Sequence, residues 1–278
     1  MKLAIAAVLL VGSVSVVGCA GDPAAPEDDA QLVRTPFGLF HPSCVHVAGE
    51  HADACEHEHA AAARVVDDAS SDGWKTSEWF ETTPLYWISA QWTVPQPPAG
   101  RSDQTLYYFP GLEPPSYDDI VQPVLAWNGY GDQAWTMTSW NCCENGNVWH
   151  SAPITVDPGD AVWGQAAGDS CNATTGVCAS WQILSGDTTT GQQTTLTATS
   201  RETFTAAQGG VLETYGVAAC SELAKNVKFS RVLVGAVGGK LVRPTWSPDI
   251  AAVSPACNYG ASASTSTGSS TITVRDTP

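Results

Sequence analysis

From residue 89 onward, hydrophobic and polar residues alternate with a period of two, and apolar stripes at helical spacing are nearly absent. Segment 89–95, Ser-Ala-Gln-Trp-Thr-Val-Pro, interleaves polar and bulky apolar side chains up to a proline, as a half-buried strand does. Segments 107–113 and 120–127 read as two further strands, and 134–140 alternates cleanly. The pattern resumes at 161–165 after the turn signal Asp157-Pro-Gly-Asp160. Strand after strand between turns, in a chain of 278 residues with 25 Gly and 18 Pro, predicts one large all-β domain.

Several short motifs occur in a telling order. A tryptophan strand ends in Val94-Pro95, a turn carries Gly111-Leu-Glu113, and Ile120-Val-Gln122 follows. A Trp-rich strand, the Pro158-Gly-Asp160 turn, a hairpin over 180–191 and Val211-Leu-Glu-Thr-Tyr215 complete the series. From residue 87 to the C-terminus the chain thus resembles the eqolisins, the glutamic peptidases, which have Ile-Leu-Gln where this chain has Ile-Val-Gln. The resemblance implies a concanavalin/lectin-like β-sandwich of two antiparallel sheets.

It also implies a chemistry. In the family a glutamine and a glutamate hold one water; the carboxylate takes its proton, while the amide orients it and stabilises the oxyanion. Gln122 stands at the glutamine's position. The glutamate is sought in a Trp-Tyr-Glu-Trp pattern, where the matching strand here offers Met137 or Ser139, and neither is a general base. Proton transfer contributes on the order of 10² to 10⁴-fold and needs a titratable group. The replacement carboxylates are Glu213, the preferred one, Glu113, and Asp118 or Asp119, although the two aspartates follow Pro114-Pro-Ser116 and read as turn residues.

The first 75 residues read differently. Lys2, an apolar run over 3–17 and Val16-Val-Gly-Cys19 resemble a bacterial lipoprotein signal, which predicts a signal peptide over 1–18, lipidation of Cys19 and a flexible tether over 19–40. An ordinary secretory signal is the alternative, and either one exports the chain. A Cys/His-rich segment and linker over 41–75 would then precede a sandwich at 76–278. No later apolar run approaches the roughly 20 residues of a spanning helix, so a lipid is the only membrane attachment expected.

Export makes disulfides the default for the eight cysteines beyond Cys19. Spacing favours Cys44 with Cys55, Cys171 with Cys178 and Cys220 with Cys257, and leaves Cys142 next to Cys143 to form a vicinal bridge or pair elsewhere. Five histidines, His41, His46, His51, His57 and His59, fit no compact zinc module, and no metal or cofactor is called for. Titrating near pH 6, they could release or attach their segment as pH changes. The net charge of −16 argues against nucleic acid and anionic lipid headgroups as partners.

No Gly-x-Ser-x-Gly, His-Glu-x-x-His, phosphate loop or dinucleotide fingerprint is present. Glycoside hydrolysis stays open because Glu113 and Glu213 could supply two carboxylates, which such chemistry needs about 5 to 9.5 Å apart. Two readings therefore stand. One is an exported, lipid-anchored acid peptidase, monomeric and acting on polypeptide. The other is a non-catalytic, lectin-like sandwich that binds glycan or peptide through Trp127, Trp135 and Trp140.

Overall fold

The computed structural model describes residues 32–50, 55, 60–61, 72–142, 146–250 and 257–276. The predicted leader, Cys19, the tether up to residue 31, Cys143 and His51, His57 and His59 lie outside them.

The chain opens with β1 (Val33–Thr35), β2 (Gly38–Phe40), a 3-10 turn at Pro42–Cys44, β3 (Val45–Val47) and the two-residue β4 (Ala60–Ala61). Long strands begin with β5 (Gly73–Glu81) and β6 (Leu85–Thr93), followed by β7 (Thr105–Glu113), β8 (Ile120–Trp127) and β9 (Trp135–Cys142). After the short β10 (Val148–His150) and β11 (Ile154–Val156) come β12 (Ala161–Asp169), β13 (Ser180–Asp187), β14 (Gln193–Ala198) and β15 (Ala206–Tyr215). The last five are β16 (Val227–Ala236), β17 (Lys240–Leu241), β18 (Ser247–Ile250), β19 (Gly260–Ser266) and β20 (Ser269–Arg275). Strands expected at 107–113, 120–127 and 134–140 correspond to β7, β8 and β9, and 161–165 is the start of β12.

Two sheets make a sandwich. One runs β18-β5-β15-β7-β8-β9-β10-β3 with β11 beside β9; the other runs β14-β13-β12-β6-β16-β20-β19 with β17 beside β16. Every pairing is antiparallel except β10 with β3. Side chains alternate across each strand, so one set from each sheet meets in the middle. Leu106, Tyr108, Leu125, Trp127, Trp135 and Met137 of the first sheet pack there against Trp92, Val162, Phe229 and Ile272 of the second. Met137 and Ser139 therefore face the second sheet, and the Ser139 hydroxyl lies 3.0 Å from that of Ser185. Gln122 is paired with Trp140, which puts Thr138 and Trp140, not Met137 or Ser139, on the glutamine's side of the sheet.

The outer face of the first sheet is covered as well. β7, β8, β9 and β15 are buried at every position, unlike β12 or β16, whose burial alternates. The cover is the N-terminal segment: Phe37, Phe40 and Cys44 join Tyr107, Phe109, Ile120, Val124 and Trp140 in a third apolar cluster. Residues 32–47, expected as tether and Cys/His-rich segment, thus belong to the same compact unit, Gln31–Pro278, as the sandwich. β1 and β2 form a hairpin with Pro36 and Phe37 at its tip, and β3 extends the edge of the sheet at β10.

Cys44–Cys55, Cys171–Cys178 and Cys220–Cys257 are bonded, the three pairs that spacing favoured. They are consistent with an exported protein. Cys142 is buried in the third cluster. Among the described residues no helix is long and apolar enough to cross a membrane.

Candidate functional site

Gln122 sits in the middle of β8 and is fully buried. Its neighbour on β9 is Trp140, and the pairing of Leu112 with Val121 sets Gly111 of β7 opposite it on the other side. A Cβ at Gly111 would stand 2.9 Å from Ile120 Cδ1 and 3.4 Å from Gln122 Cβ, so the glycine leaves room for the Ile120 side chain beside the amide. Beyond Gly111, β15 contributes Gln208, directly before the irregularity that Gly209 and Gly210 introduce. The Gln208 amide donates to Glu113 Oε2 at 2.5 Å. Gln122, Gln208 and Glu113 thereby form one buried polar patch around Gly111.

The hairpin tip covers this patch. Gln122 Nε2 donates to the main-chain carbonyl of Pro36 at 2.7 Å. Gln122 Oε1 and Gln208 Oε1 are buried with no partner among the described groups. Buried carbonyl oxygens are rarely left so, because the loss of water is uncompensated.

Glu213 shares this face but not this patch. It pairs with Tyr107 on β7 and Trp74 on β5, which puts it two strands away from Gln122 and four residues further along. Strand geometry sets the two α-carbons about 16 Å apart, against about 8 Å for Glu113 and Gln122. Burial pushes Glu213 up to about 8, against the Tyr215 hydroxyl that donates to its Oε1, the Lys75 ammonium and the Trp74 indole. Lys75 is buried too, and burial lowers it to about 8 although Asp72 and Glu213 favour its charge. At neutral pH Glu213 therefore tends to hold its proton, which suits a donor better than a base.

The remaining candidates separate on geometry. Asp119 is buried and accepts from Asn141 Nδ2 at 3.1 Å and Ser200 Oγ at 2.9 Å, a structural role. Asp118 accepts from Ser116 within a turn. Glu113 and Glu213 lie about 20 Å apart along the sheet, twice the widest glycosidase separation. Trp127 and Trp135 point into the core between the sheets, 5.4 Å apart, and offer no surface for stacking a sugar. Trp140 does lie on the face of Gln122, stacked on His150 at 4.6 Å, beneath the N-terminal cover.

His41 caps the 3-10 turn through Ser43, and His46 reaches Asn147 Oδ1 at 2.9 Å. Among the described residues no group of three His, Cys, Asp or Glu side chains is placed to hold a metal. A cavity of about 1020 Å³ opens elsewhere, between Trp92, Val162, Leu223 and Lys228.

Two parts of the site were not anticipated. Gln208 sits beside two glycines that break the strand pattern. The hairpin was legible in principle, since Val33-Arg-Thr-Pro-Phe-Gly-Leu-Phe40 places Pro and Gly at a turn between two short apolar runs.

No protein-family model matches the sequence, and no curated protein sequence matches it either. Solved structures do. Scytalido-glutamic peptidase bound to a peptide-based transition state analogue superposes with a TM-score of 0.53 and 17% identity, over 74% of this chain and 98% of that one. SCP-B, an eqolisin solved with the tripeptide Ala-Ile-His, gives a TM-score of 0.50 at 17% identity over the same shares. At that identity the likeness is one of fold: the chain has the β-sandwich fold of the eqolisin glutamic peptidases.

Proposed function

We propose that this chain is an exported acid peptidase of the glutamic type, seen with its substrate groove closed. The reading rests on one observation: the buried Gln122 amide donates to a main-chain peptide carbonyl, that of Pro36. A substrate carbonyl seated there meets the same N–H, which gains strength as the oxygen becomes an oxyanion. Glu113 is the general base nearest to it, and Gln208 holds its carboxylate in place. The carboxylate takes a proton from water as the oxygen adds to the carbonyl carbon. The tetrahedral intermediate collapses with that proton delivered to the leaving amine. Glu213 is the second candidate, and reaching Gln122 would require the strands to shift. The neighbouring structures, one with a peptide-based analogue and one with a tripeptide, support a peptide ligand. So does the burial of Trp127 and Trp135, which removes the aromatic face that a glycan would need. Lipid attachment at Cys19 completes the reading, which places the enzyme on a membrane surface.

The test is hydrolysis of a denatured protein between pH 2 and 8 by the full chain carrying Phe37→Ser and Phe40→Ser, which loosen the cover. Acid-peaked activity, lost on adding Gln122→Ala or Glu113→Gln, is expected. Loss with Glu213→Gln but not Glu113→Gln would transfer the base to Glu213. No hydrolysis at any pH by the folded protein would overturn the peptidase reading.

A further inference from the structure

We infer that the Val33–Phe40 hairpin is a built-in plug of the peptide groove, and that Phe37 and Phe40 occupy the subsites which bulky apolar residues of a peptide substrate take. The inference rests on the peptidase reading for the word substrate, but on geometry for the plug.

The hairpin is held by its backbone. Gln122 donates to the Pro36 carbonyl at 2.7 Å, and the Tyr107 hydroxyl donates to the Arg34 carbonyl at 2.9 Å. Donors that read carbonyls accept any sequence, as a groove for peptides must. Selectivity then falls to the side chains. Phe40 is fully buried and Phe37 is 6% exposed, both among Phe109, Ile120, Val124 and Trp140.

The hairpin is also separable. Its strands pair with each other and with β4, not with the nine-stranded sheet, whose ladders remain whole without it. The Thr35 hydroxyl, donating to the Gly38 carbonyl at 3.0 Å, closes the tip into a tight turn. A turn presents one carbonyl to Gln122 without laying an extended chain through the groove, so it blocks without serving as substrate. Beneath it lie Gln122 Oε1 and Gln208 Oε1, buried and without a partner among the described groups. A permanent core selects against such groups, whereas a face that opens to water or peptide satisfies them.

The test uses the full chain with Phe37→Ser and Phe40→Ser, and a labelled peptide, acetyl-Val-Arg-Thr-Pro-Phe-Gly-Leu-Phe-amide, as probe. The loosened chain should bind it at least tenfold more tightly than wild type does. Serine in place of both probe phenylalanines should cost a further tenfold or more, as should Gln122→Ala in the protein. A folded loosened chain that binds neither peptide, or both alike, overturns the inference. Hydrogen exchange on wild type covers the case of misfolding: the Leu39 and Phe40 amides should exchange at least a hundredfold faster than those of β8. Exchange of both at one common rate overturns the plug. Binding is read apart from turnover, so selective binding without hydrolysis sinks the peptidase reading and leaves the plug standing.

Discussion

Gln122 and Pro36 are joined by a hydrogen bond from side-chain amide to main-chain carbonyl, 2.7 Å long and fully buried, between residues 86 positions apart. The glutamine lies on a strand of the sandwich, the proline at the tip of a hairpin that covers it. The contact ties the hairpin tip to the sheet.

Replacing Gln122 by alanine leaves the Pro36 carbonyl buried without a donor. The expected cost is about 1–3 kcal/mol in urea unfolding. The hairpin amides should lose protection by more than the β8 amides do. Equal loss at both places would mean that the contact belongs to the global core.

Gly111→Ala tests the packing around the Gln122 patch. The new methyl meets Ile120 Cδ1 at 2.9 Å, closer than carbon atoms pack, and Gln122 Cβ at an ordinary 3.4 Å, so the Ile120 side chain must shift against its neighbours under the cover. Overpacking of this kind costs about 1–3 kcal/mol. In the loosened chain, peptide affinity should fall at least tenfold while the far-ultraviolet spectrum stays that of wild type.

Glu213 gives a signature in pH. Its carboxyl is raised from 4.5 to about 8, burial being the largest cause, so between those values the folded state binds more protons than the unfolded. Stability is therefore full below pH 4.5 and declines as pH rises toward 8. Glu213→Gln should abolish that decline, making the variant about 2–4 kcal/mol more stable than wild type at pH 8 and no different at pH 4. A parallel pair of curves would place the carboxylate in a solvated or fully paired state.

His150 works in the opposite direction. Burial lowers it from 6.5, opposed by the Ser151 carbonyl and by Glu50 and reinforced by His46, so the folded protein holds it neutral where the unfolded chain takes a proton. Stability is then lost as pH falls below 6.5. The loss falls on the β10–β3 ladder, where His150 pairs with Val47 and its carbonyl accepts from Ala48 N at 2.7 Å. The Val47 and Ala48 amides should exchange faster at pH 5 than at pH 7, after correction for intrinsic rates, and His150→Gln should remove the difference. Acid would thereby loosen the strand that anchors the cover.

The sandwich was readable because Ser89-Ala-Gln-Trp-Thr-Val and its successors alternate with the pleat, and the disulfides because each pair closes a short local loop. Alternation failed to say which side a residue of β9 faces, since Trp135-Thr-Met-Thr-Ser-Trp140 alternates cleanly yet is buried on both sides, so polar and apolar positions do not tell the core face from the covered one. Met137 and Ser139, expected on the glutamine's face, lie on the opposite one for that reason, and Trp127 and Trp135, expected to bind a ligand, lie in the core between the sheets. The polar patch itself joins residues from four separate stretches around Gly111. Only the register of β7, β8 and β15 brings them together, and sequence spacing does not encode register.

Whether the face catalyses or only binds is decided most directly by comparing two ligands of the loosened chain. One is a peptide bearing Phe on the carboxyl side of the carbonyl that Gln122 receives. The other is the same sequence with that carbonyl replaced by a tetrahedral transition state mimic. A peptidase grips the mimic at least a hundredfold more tightly than the peptide, and Glu113→Gln narrows the gap. Equal affinity for the two, in a folded protein, would contradict catalysis and leave a peptide-binding sandwich.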